Sequence, residues 1–220
     1  MVRRKKKKTF IIFILIMAVI TVAIMIPLYK FNVLPHKAYS GKDFNIVTYK
    51  SQVDMDEDGI DDQTDILAGV RKYIKTRPKY KSKYYENGYP DDEYGVCTDV
   101  VAQGLLIAGY DLREMVDEDI RNNREKYNVE AIDKNIDFRR VRNLNVYFKN
   151  NAINLTTDLK DINEWQGGDI VVFKEHIAVV SDKRNSKGIP FIIHHSGPRQ
   201  LRYEEDTLEH WDIIGHYRIS

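Results

Sequence analysis

The reactive chemistry of this sequence is concentrated in its single cysteine and in two of its six histidines. Cys97 opens a predicted helix that runs to Ala108. Free N–H groups and the macrodipole at a helix start favour an anionic sulfur. His176 begins a predicted strand. A hairpin symmetric about Asn185 would set His194, on the next strand, directly across from it. A thiol, a base and a group that orients the base are the parts that acyl transfer requires. Cys97 is then the nucleophile, His176 takes its proton and later protonates the leaving amine, and His194 fixes the His176 tautomer. The Cys97 backbone N–H is a candidate oxyanion donor. The same residues also admit a small core cysteine, satisfied sheet histidines, His195 in place of His194, or a Cys/His/His zinc sphere completed by water.

A second constellation is acidic. Residues 54–65 place Asp54, Asp56 and Asp58 at alternate positions, followed by Gly59. Ile60 would offer its backbone carbonyl, and Asp62 and Asp65 take the ninth and twelfth places. This is EF-hand-type spacing, and it predicts a structural Ca2+ that pins the linker to the domain. No cofactor is called for in the catalysis. Asp65 is shorter than the usual Glu, and the residues before the loop look extended. The competing reading is a solvated acidic loop that caps the helix beginning near Ile66. Arg139 and Arg140 are candidates to clamp a substrate carboxylate; the alternative is internal pairing with Asp133 or Asp137.

These residues need elements to carry them. Ile66, Leu67, Val70, Tyr73 and Ile74 fall at helical spacing, and Pro78 closes the run. Residues 111–127 and 142–151 are further predicted helices. After Gly167-Gly168 the pattern changes to strands at 169–173, 176–181, 191–195 and 216–219. Helices followed by an antiparallel sheet make an α+β domain. The expected division is a basic tail (1–8), a membrane-spanning helix (9–29), a linker (30–53), the acidic loop (54–65) and a domain (66–220).

The charge is segregated. The 220 residues sum to +1, yet residues 1–30 hold seven Lys/Arg and no acid, leaving the rest at −6. That mildly acidic remainder excludes a sequence-independent nucleic-acid footprint. The apolar stretch is about 20 residues long, the length a helix needs to cross a bilayer. The basic run before it predicts a cytoplasmic N-terminus and an extracellular domain. A cleaved signal peptide is the competing reading, but the apolar core is long for one and no A-x-A site follows it.

The stretches Gly95–Val101, Asn135–Val141, Gly168–Val171, His176–Asp182, Ile193–His195 and Gly215–Arg218 resemble the bacterial domain of unknown function 1287, from about Ile66 onward. That family is in turn similar to NlpC-like, papain-fold cysteine hydrolases. The resemblance implies a papain-like α+β fold, Cys97, His176 and His194 as the catalytic set, and amide cleavage in peptidoglycan stem peptides. NlpC-like enzymes carry an Asp just before the Cys. Here that residue is Val96, with Asp99 two places after the Cys, so the hydrogen bonding around the thiol must differ. The resulting expectation is a membrane-anchored, extracytoplasmic cysteine hydrolase acting on cell-wall peptide. A noncatalytic calcium-stabilised surface module and an acyltransferase using the same triad are the alternatives.

Overall fold

The structure is a computed structural model that describes residues 2–30 and 32–220. Met1, at the head of the basic tail, and Phe31, in the expected linker, lie outside the described residues. Residues 1–36 and 37–220 form two compact units. In the first, helix α1 (Val2–Lys30) contains a stretch, Phe10–Lys30, long and apolar enough to cross a membrane. The large apolar side chains of that stretch, Leu28 apart, are exposed.

The second unit carries four helices, α2 (Asp62–Ile74), α3 (Cys97–Ile107), α4 (Leu112–Asn122) and α5 (Val141–Asn151). Lys79–Tyr80 (β1) and Tyr94–Gly95 (β2) form a short parallel pair. The strands of the main sheet are β3 (Ile153–Asn154), β4 (Ile170–Phe173), β5 (Ile177–Arg184), β6 (Pro190–Ile193), β7 (Glu204–Glu205) and β8 (Ile213–Arg218). They run in the order β3-β8-β4-β5-β6-β7, antiparallel throughout.

Strand alternation divides the core. Ile170, Val172, Ile177 and Val179 meet the helices through Ile66, Val70, Val101, Leu105 and Phe148. Val171, Phe173, Ala178, Val180 and Ile192 point to the opposite face, where Trp165 and Leu208 cover them. Helices α2 and α3 approach closely because Gly104 has no side chain. A Cβ there would lie 2.3 Å from Val70 Cγ1.

Two expectations need correction. The β5–β6 hairpin pairs Val179 with Ile193 and Val180 with Ile192, two residues out of the register expected for symmetry about Asn185. An even shift keeps every side chain on its face, so His176 and His194 still share one. Of the expected linker, 30–53, residues 37–53 are part of the compact second unit. Tyr39 exchanges backbone hydrogen bonds with Arg184 at 2.8 Å in each direction, and Ile46 is buried. The attachment joins residues far apart in sequence, such as the Tyr49 hydroxyl donating to the Ser220 carbonyl at 2.9 Å, which no local pattern reveals.

Candidate active site

Helix α3 starts in a fixed position. The Val96 N–H donates to Asp99 Oδ2 at 2.8 Å, which satisfies one of the free donors of the helix start. Asp99 in turn accepts a bidentate pair from Arg139, Nε to Oδ1 at 2.7 Å and Nη2 to Oδ2 at 2.9 Å. The Arg139 and Asp99 side chains are 2% and 0% exposed. Arg139 also donates through Nη1 to the Lys83 carbonyl. The proposed substrate clamp is therefore corrected: Arg139 is a buried structural partner of Asp99. Arg140 donates to Asp137 Oδ1 at 3.0 Å, and neither arginine lines the cavity at Cys97.

Cys97 is the first residue of α3 and is buried. Burial pushes its thiol up to about 11, outweighing the backbone N–H groups of Ile177 and Thr98 that favour the thiolate. Cys97 lines an open cavity of about 490 Å³ whose walls include His176, Tyr80, Glu175, Trp211 and Asp212. Among the described residues no hydrogen bond joins Cys97 to His176, so the resting thiol and base share a wall without being coupled.

His176 immediately precedes β5. Its ring stacks on Trp211, with centroids 4.7 Å apart and planes at 19°, and on Phe173 at 5.9 Å. Nε2 of His176 lies 2.8 Å from Nδ1 of His194, and Nε2 of His194 lies 3.2 Å from Glu205 Oε2. A carboxylate only accepts, so His194 carries its proton on Nε2 and presents a lone pair at Nδ1. His176 must then donate from Nε2, which leaves its Nδ1 lone pair free to take a proton. Burial, followed by the neighbouring His194 and His195, holds His176 down to about 3. The ring is therefore neutral at pH 7 and, while buried in this way, a weaker base than a free imidazole.

His195 points away from this chain, edge-on to Tyr80 at 5.1 Å and Tyr203 at 5.0 Å. It is His194, then, that pairs with His176. The zinc alternative fits poorly, because the two histidines aim nitrogens at each other instead of converging on a point. Glu205 and Trp211 were not singled out from the sequence. Glu205 lies on a two-residue strand and Trp211 in a loop, neither of which has a periodicity to mark it.

A family model described as Domain of unknown function (DUF1287) matches residues 67–219. The chain belongs to this family. In this DUF1287 chain Cys97, His176, His194 and Glu205 come from a helix start, a strand start, a strand end and an edge strand. The chain is also 36% identical over 166 residues to "Uncharacterized protein YijF" of Escherichia coli, covering 70% of this chain and 80% of that protein. No solved structure matches.

The buried thiol yields a pH test. With the thiol near 11, the thiolate fraction at pH 7 is about 10⁻⁴ and rises roughly tenfold per pH unit. Iodoacetamide labelling of Cys97, the only cysteine in the chain, should therefore climb steadily from pH 7 to pH 10. A rate that is flat across this range would mean a preformed thiolate–imidazolium pair and would contradict the geometry described.

Proposed function

We propose that this chain is a membrane-anchored, extracytoplasmic cysteine hydrolase of papain-like, NlpC-like type that cleaves amide bonds in peptidoglycan stem peptides. The observation that carries this reading is that His176, which shares a cavity with Cys97, is hydrogen-bonded to His194 behind it. The apolar helix Phe10–Lys30 supports the anchor, with the basic residues before it retained in the cytoplasm.

In the proposed reaction His176 Nδ1 removes the Cys97 thiol proton as Sγ attacks the amide carbonyl, forming the C–S bond. The Cys97 backbone N–H, at the start of α3, then stabilises the oxyanion in this reading. The imidazolium returns its proton to the leaving amine as the C–N bond breaks. Water, deprotonated by the same nitrogen, then attacks the thioester, releasing the acid and restoring the thiol. His194 and Glu205 hold the base in the required tautomer throughout. An amine in place of water would make the enzyme an acyltransferase.

The detergent-solubilised full chain should release new amino termini from purified peptidoglycan, and prior alkylation of Cys97 should stop the release. No release, or release insensitive to alkylation, rejects the proposal. The burial of Cys97 favours a second reading, a noncatalytic surface-binding module. In that case labelling would await denaturation, whereas the hydrolase is labelled while folded.

A further inference from the structure

The acidic loop takes no part in this chemistry. Asp54, Asp56 and Asp58 are exposed and hold carboxylate oxygens within 4.8 Å of one another. Asp62 does not join them. It is buried, accepts from the Met55 N–H at 2.8 Å through Oδ1, and takes the Tyr110 hydroxyl on Oδ2. The ninth-position ligand expected from the spacing is thereby corrected: Asp62 fastens the loop to the domain.

Asp65 behaves differently. It is 6% exposed, and its Oδ2 is buried without a hydrogen-bond partner among the described residues. A buried carboxylate oxygen without a donor is unfavourable, and native proteins rarely leave one so. Its surroundings add to the strain. Burial, then the charges of Asp58, Asp56 and Asp54, push its carboxyl up to about 6. Asp54 and Asp58 accept backbone N–H groups of the loop. The buried Asp65 Oδ2, at the twelfth place of the same spacing and in the first turn of α2, has no such donor, and a cation held by the triplet would satisfy it.

We propose that Asp54, Asp56, Asp58 and Asp65, with the backbone carbonyl of Ile60, form a binding site for one Ca2+. The donors are all hard oxygens at EF-hand-type spacing, which suits Ca2+ better than the rigid octahedron of Mg2+. The ion would act on the scaffold. Asp61, within the loop, caps α2 by accepting from the Thr64 N–H. On the other side, Met55 and Asp56 lie against Gly109 at the end of α3, where a Cβ would meet both at 3.2 Å. A bound cation would tie the start of α2 to the end of the helix that carries Cys97. This inference does not depend on the hydrolase reading.

The test is calorimetric titration of the chelator-stripped full chain, in detergent, with CaCl2. One Ca2+ per chain is expected, with Kd about 0.1–1 mM, as in extracellular modules. Asp65→Asn and Asp56→Ala should each weaken binding at least ~10-fold, since each removes a ligand charge. Asp56 is exposed, so Asp56→Ala reports on binding even if the buried Asp65→Asn fails to fold. No saturable binding up to about 10 mM, beyond the weakest such modules, overturns the proposal. So does a Kd unchanged by Asp56→Ala.

Discussion

For the proposed hydrolase, His176→Ala is expected to lower amide cleavage by about 10²–10⁴-fold, the range that a general base contributes. The substitution removes the nitrogen that receives the thiol proton in the proposed reaction and leaves Cys97 at the start of α3. The thiol is held near 11, so little thiolate forms at neutral pH without a base. Residual activity should rise with pH as the thiol ionises on its own. Glu205→Gln should be milder, and its effect should fall on kcat and leave KM unchanged. Glu205 bonds His194 at 3.2 Å but is not among the residues lining the cavity. A glutamine amide that turned its NH2 toward His194 would reverse the proton order along the pair and leave His176 with a proton on Nδ1. A change in KM alone for Glu205→Gln, or His176→Ala with unaltered turnover, would remove the relay from the mechanism.

How much of this was legible in the sequence differs from residue to residue. The helix beginning at Cys97 and the strands around Val171 and Val179 have strong local signals, namely apolar periodicity and β-branched runs. The structure contains those elements at those places. Pairing His176 with His194 required only that both lie on one face, which a two-residue error in register preserves. Contacts set by distant backbone were not legible. Asp99 and Arg139 are forty residues apart, and no spacing rule joins them, so a surface clamp and a buried ion pair read alike in the sequence. Glu205 is brought to His194 by the pairing of Ile192 with Glu205 and Ile193 with Glu204, at a sheet edge too short to predict. Asp62 fits the spacing of a cation loop, yet its position at the start of α2 turns it toward Tyr110.

The other large effect concerns stability. Arg139→Met is expected to destabilise the domain by about 3–5 kcal/mol, the range for stranding one partner of a buried ion pair. For a domain of this size that is roughly 6–20 °C in Tm. Asp99 would be left fully buried, keeping the Val96 N–H but losing both guanidinium hydrogen bonds. Asp99→Asn tests the reverse case. The amide can still accept from Val96, but Arg139 is then the buried charge without a counterion. If charge pairing is what matters, each single variant melts early and Arg139→Met/Asp99→Leu recovers much of the loss, because a well-packed apolar pair can replace a buried ion pair. Recovery should be incomplete by about 1 kcal/mol, since the double variant also removes the acceptor for the Val96 N–H. That residual frees the first turn of α3, so the double variant should label faster at Cys97 than the native chain at equal pH. Early melting without any rescue would instead place the effect in lost packing around Tyr85, whose ring the Arg139 guanidinium covers at 5.0 Å.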